Sequence, residues 1–166
     1  MSVRYNAGEI ITAMITPFKE NFEVDYDSLE KLVNHLIATG SDTILVAGTT
    51  GECPTLTHEE EWDVLKFVLK TVNGRVKVIM GTGSNSTQTA VMTAKKAEEL
   101  GADAILTVVP YYNKPNQRGM KAHFSAIAEA TKLPIIVYNI PSRTGVDMQP
   151  ETVNYLARKY NNIVGI

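Results

Sequence analysis

Apolar, β-rich runs recur along the chain at "EIITAMI", "TILVAG", "VKVIMG", "AILTVVP", "PIIVYNI" and "NIVGI". They begin near Glu9, Thr43, Val76, Ala104, Pro134 and Asn162, a period of about thirty residues. The runs are almost uniformly apolar rather than alternating, which is the pattern of parallel strands covered on both faces. Helical periodicity fills the intervals. In "DSLEKLVNHLIATG", Leu29, Leu32, Val33 and Leu36 make one apolar stripe and Gly40 supplies a left-handed stop. In "THEEEWDVLKFVLKTVNG", Thr57 and Glu60 have capping-box spacing, Trp62, Leu65 and Leu69 mark a buried face, and Gly74 ends the helix. "STQTAVMTAKKAEELG" and "NQRGMKAHFSAIAEAT" repeat the pattern, and "QPETVNYLARKY" opens with Pro150 in the first turn.

Five βα units followed by a sixth strand permit an open doubly wound sheet or a (β/α)8 barrel. Regular unit length, and the lack of a glycine-rich dinucleotide fingerprint after the first strand, favour the barrel. A whole barrel needs roughly 250 residues, so residues 1–166 are expected to form the N-terminal part of one barrel domain.

Composition narrows the function without naming it. Net charge is −2, which leaves no electrostatic footprint for nucleic acid or an acidic membrane. The single Cys53 excludes an internal disulfide and agrees with a reducing cytoplasm. The opening "MSVRYNAGE" has no apolar signal-peptide stretch, and no run is long enough to span a bilayer, so a cytoplasmic protein is expected.

In a barrel the chemistry gathers where strands end and βα loops begin. The first loop, "TPF", reads as a Thr-Pro turn. The second, "GTTGE", has two glycines that admit a close ligand, and Thr49 and Thr50 add hydroxyls and N–H groups suited to a carboxylate. In the third, "GTGSNS", a phosphate cradle is conceivable, but it lacks the P-loop lysine. A turn with a helix cap through Asn85 or Ser86 is favoured there. The fourth, "PYYNKP", carries an aromatic pair that calls for a partner surface, one ring for a site and the other for an interface. Lys114 in that loop reads as solvated. The fifth region, "YNIPSRTG", places Tyr138 in the strand and Arg143 on the loop, either as a surface residue or as a fork for a carboxylate. His35, His58 and His123 fall in helices without companions at ligand spacing, so no metal or other cofactor is expected. Cys53 has no identifiable base.

Together "AGTTGECPTLTHEE", "GTGSNST", "VVPYYNKPNQRGM", "HFSAIAEAT" and "YNIPSRTG" resemble the dihydrodipicolinate synthase family, in order and with matching spacing over essentially the whole chain. "GxTGE" alone marks only the wider pyruvate-dependent aldolase superfamily, and the "SRTG" arginine favours the synthase branch. The resemblance implies a (β/α)8 barrel that condenses pyruvate with aspartate semialdehyde through an enzyme-bound Schiff base, in lysine and diaminopimelate biosynthesis. It implies that Thr49 and Thr50 hold the pyruvate carboxylate, that Thr49, Tyr112 and Tyr138 relay protons, and that Arg143 binds the aldehyde's carboxylate. It implies a homodimer or homotetramer in which Tyr112 reaches the neighbouring subunit's site.

In the family, strand 6 is followed at once by the Schiff-base lysine. Here Ile166 is the last residue and no other lysine substitutes, so the chain as given is expected to be inactive. Some relatives bind lysine through positions that map onto Cys53, Pro54, His58, Glu61, Asn85, Thr89 and Tyr111. Only His58, Asn85 and Tyr111 match that pattern, which argues against lysine inhibition. The alternatives are a non-catalytic half-barrel acting in binding or assembly, whose open strand edges invite a partner, and another Schiff-base aldolase of the superfamily.

Overall fold

A computed structural model describes residues 5–166, and the first four residues of the opening segment lie outside it. All six expected strands are present: β1 (Ile11–Ala13), β2 (Thr43–Val46), β3 (Lys77–Gly81), β4 (Ala104–Val108), β5 (Ile135–Tyr138) and β6 (Ile163–Gly165). The helices are α1 (Tyr26–Ala38), α2 (His58–Val72), α3 (Thr87–Leu100), α4 (Gln117–Ala130), a single turn α5 (Pro141–Thr144) and α6 (Pro150–Lys159). The chain divides into two compact units. One holds Asn6–Gly81 and Leu100–Asp103, and the other Thr82–Glu99 and Ala104–Ile166.

In the first unit β1, β2 and β3 pair in parallel, with Ile11 opposite Thr43 and Thr43 opposite Lys77. All four residues of β2 are buried, as uniform hydrophobicity requires of a central strand. β1 departs from that expectation: Ile11 is 43% exposed, because among the described residues β1 has a strand on one side only. The N-cap Asp25 accepts from the N–H groups of Asp27 and Ser28 and starts α1. The capping box on α2 is complete, Thr57 taking the Glu60 N–H while the Glu60 carboxylate takes the Thr57 N–H. The buried stripe of α2 is Val64, Leu65, Val68 and Val72, so of the anticipated face only Leu65 is fully enclosed; Trp62 and Leu69 sit at its margins. Seven apolar side chains surround this helix, and only tertiary packing decides which of them face inward. The left-handed stop begins at Asn73 (φ 46°) and continues through Gly74 (φ 74°).

In the second unit β4, β5 and β6 are parallel, with Ile105 opposite Ile135 and Ile135 opposite Ile163. Helix α3 buries Ala90, Thr93, Ala94 and Ala97, all small residues. Helix α4 buries Met120, His123, Phe124, Ile127 and Ala128, a strict i, i+3, i+4, i+7, i+8 face. Helices α4 and α6 pack together, with Leu156 wholly buried. Among the described residues no helix is long and apolar enough to cross a membrane.

Candidate active site

The loop after β2 is built by close backbone packing. Gly48 accepts from the N–H groups of Gly51 and Cys53 at 3.0 and 3.4 Å, and Thr49 accepts from Glu52 at 3.1 Å. The Thr16 hydroxyl donates to the Gly51 carbonyl at 2.7 Å from the loop after β1. A Cβ on Gly51 would lie 3.1 Å from the Met14 carbonyl oxygen and 3.2 Å from Thr16 Oγ1, so glycine is what lets the two loops meet. Thr16 is 5% exposed. The "TPF" segment is thus more than a turn, and the only sign of it in the sequence is a hydroxyl residue where an apolar run ends. The loop leaves Thr49 and Thr50 exposed, and their N–H groups and hydroxyls donate no hydrogen bond among the described residues. Four donors side by side, unsatisfied internally, are what a carboxylate requires.

Cys53 follows directly. Burial, reinforced by the charge of nearby Glu61, pushes its thiol up to about 11, so it stays protonated and unreactive at neutral pH. Glu61 is 8% exposed and burial raises its carboxyl, against the lowering effect of His58, whose Nδ1 lies 2.8 Å from it. The His58 ring stacks on Trp62 at 6.1 Å. The 650 Å³ cavity of this unit lies at the other end of its strands from the threonine loop, lined by Gly8, Asp42, Arg75, Lys77 and Asp103.

In the second unit, Ser86 and not Asn85 caps α3, accepting the Thr89 N–H at 3.3 Å. The Asn85 carbonyl instead accepts from Asn113 of the tyrosine loop. That loop is strained. Asn113 N–H turns back to the Tyr111 carbonyl at 2.8 Å around Tyr112, which holds φ 68°. A three-residue turn with a left-handed tyrosine costs about 1–3 kcal/mol. It holds the Tyr112 ring out at 88% exposure while Tyr111 is 39% exposed. Tyr138 ends β5, half-buried. Arg143 sits in α5, exposed, its guanidinium bound to nothing among the described residues. No group of His, Cys, Asp and Glu among the described residues could hold a metal.

His123, read from the sequence only as a helix residue, is 4% exposed. Its Nδ1 meets Thr87 Oγ1 at 2.9 Å, its ring and that of Phe124 form a T-shaped pair with centroids 5.2 Å apart, and Nε2 has no partner among the described residues. Burial pushes its pKa down to about 4. The native imidazole therefore stays neutral while the unfolded one titrates near 6.5. Its contribution to stability is whole above pH 6.5 and is lost as pH falls towards 4, at up to about 1.4 kcal/mol per pH unit. Urea unfolding from pH 7 to 4 is expected to show this slope, and His123→Gln to flatten it; equal slopes would contradict the assignment.

The dihydrodipicolinate synthetase family matches residues 6–166. The chain belongs to that family. A 4-hydroxy-tetrahydrodipicolinate synthase of a Synechococcus strain is 55% identical over 152 residues, covering 92% of this chain and 50% of the relative. A chloride-inhibited dihydrodipicolinate synthase from Acinetobacter baumannii, solved in complex with pyruvate, superposes with a TM-score of 0.95 at 48% identity, over 97% of this chain and 55% of that one. The synthase of Cyanidioschyzon merolae, solved with lysine bound, gives 0.93 at 52% identity, over 95% and 54%. The fold is therefore of the (β/α)8 barrel class, with five βα units and a sixth strand, and the chain spans about half the length of the relatives it matches.

Proposed function

We propose that this chain is part of a single-domain Schiff-base lyase that condenses pyruvate with aspartate semialdehyde, working in the cytoplasm for lysine and diaminopimelate synthesis. The observation that carries the reading is the unsatisfied donor set of Thr49 and Thr50, on a loop fixed by Thr16 and Gly51. In this reading those donors hold the carboxylate of pyruvate. Thr49, Tyr112 and Tyr138 pass protons between hydroxyls, and the unpartnered guanidinium of Arg143 takes the carboxylate of the aldehyde substrate. The strained, outward Tyr112 completes the site of a second copy in a homo-oligomer. His58, Asn85 and Tyr111 are what remains of a lysine-sensing surface. Family membership supports these roles, and so does an inert Cys53, which leaves no competing nucleophile in the threonine loop.

Pyruvate titrated into ¹⁵N-labelled chain is expected to shift the amide resonances of Thr49 and Thr50 before any others. Thr49→Val is expected to weaken that binding about tenfold, the worth of one hydrogen bond to a charged group. Static amides at saturating pyruvate would end the reading.

A further inference from the structure

Gln117, the first residue of α4, spends its whole side-chain amide on the segment that carries Arg143. Its Nε2 donates to the Asp147 carbonyl at 2.8 Å, and its Oε1 accepts from the Gln149 N–H at 3.1 Å and from the Thr152 hydroxyl at 2.7 Å. Thr152 is 1% exposed, so its hydroxyl has little recourse to water. The base of the same loop is closed by Asn139, whose Nδ2 donates to Asp147 Oδ1 at 2.8 Å while its Oδ1 accepts the Met148 N–H at 3.1 Å. Within the loop, Thr144 Oγ1 bonds the carbonyls of Ile140 and Val146 at 3.1 and 3.0 Å. Gly145 turns left-handed at φ 71°, and a Cβ there would come within 2.9 Å of Lys114 Cε, so the tyrosine loop abuts the arginine loop. Arg143 is thus an exposed side chain on a backbone held from three sides, and among the described residues it is Gln117 that ties that backbone to α4 by hydrogen bonds.

We propose that Gln117 is a positioning residue for Arg143: by clamping Asp147 and the start of α6 to the start of α4, it fixes where the guanidinium meets the carboxylate of the second substrate. The inference rests on the carboxylate-binding role given to Arg143 above. A fork-on-fork contact between guanidinium and carboxylate is demanding in angle, so a backbone free to shift loses much of its strength. The amide is needed as an amide. A glutamate at 117 keeps both acceptor bonds and hence the hold on α6, but sets oxygen against the Asp147 carbonyl and releases the loop.

The test titrates the chain with succinic semialdehyde, a probe carrying the aldehyde and one carboxylate, and separately with pyruvate. It compares Arg143→Ala, Gln117→Glu, Gln117→Leu and the double variant Gln117→Glu/Arg143→Ala. Arg143→Ala is expected to weaken semialdehyde binding about tenfold and Gln117→Glu three- to tenfold, with the thermal midpoint of Gln117→Glu close to that of the parent. Pyruvate binding is expected to be unchanged in all of them. The double variant is expected to be no weaker than Arg143→Ala, because Gln117 acts through that side chain. Multiplying losses in the double variant, or parallel weakening of pyruvate, would reduce Gln117 to general structural support and overturn the inference. Normal semialdehyde binding by both Gln117 variants, with Arg143→Ala weakened, would overturn it while leaving the proposed function standing. Unaltered binding by Arg143→Ala would remove the role of Arg143 itself, and the inference with it.

Discussion

Replacing Phe124 by alanine is expected to lower the unfolding free energy by about 3–5 kcal/mol, the range for emptying a well-packed aromatic site. Phe124 is wholly enclosed and stands at the centre of the buried face of α4. Its ring also meets that of His123 in a T-shaped contact, worth about 0.5–1.5 kcal/mol beyond burial. Its companions on that face, Met120, Ile127 and Ala128, are themselves buried, which leaves them little freedom to collapse into the gap. Urea unfolding with an unchanged m-value would assign the loss to the native state. Met92→Ala, at a 42% exposed site on α3, is the control and is expected to cost no more than about 0.5 kcal/mol. A Phe124→Ala loss near that of the control would mean that α4 is not seated as described. The same helix begins at Gln117, so the stability of its inner face and the placement of the Arg143 loop share one support.

The elements legible in the sequence are those with a period. Six apolar runs gave six strands, and Thr57 with Glu60 gave the capping box as drawn. Thr49, Thr50, Tyr112 and Arg143 stand out in the sequence because polar groups beyond the ends of apolar runs have few structural duties, and in the structure all four are exposed. What could not be read is whatever depends on partners distant in sequence. The buried face of α2 depended on its neighbours, since Trp62 and Leu69 are as apolar as the residues that went inside. The one-turn helix Pro141–Thr144 is too short to show any period. Thr16, Gln117 and Asn139 are ordinary polar residues, and their importance comes from backbone groups that need satisfying in loops. The left-handed φ of Tyr112 has no compositional sign, because a glycine or asparagine would be the usual choice there.

Treated with pyruvate and borohydride, the 166-residue chain is expected to gain no covalent adduct, even where the same pyruvate shifts the amides of Thr49 and Thr50. Imine formation needs a neutral amine, and a lysine supplies one at neutral pH only when burial or a neighbouring positive charge depresses its pKa. No lysine of the chain is buried: Lys77, Lys96 and Lys121 are half-buried and the others exposed. The half-buried three are each engaged by a neighbour. Lys77 donates to the Asn6 carbonyl, Lys96 pairs with Glu99 at 2.8 Å, and Lys121 lies over the Tyr155 ring at 4.8 Å. For Lys159 a hydrogen bond with Tyr160 raises the pKa further, away from nucleophilicity. Lys114, in the loop that carries Tyr112, is exposed on a strained backbone with its alkyl chain against Gly145. Intact mass after reduction is the measurement. A stoichiometric adduct mapped by peptide digestion to any of these lysines would show that solvation does not disable the amine here. Amide shifts without an adduct would separate the two halves of the chemistry, with carboxylate recognition residing in the threonine loop and covalent capture requiring an amine in a drier setting than any of these lysines occupies.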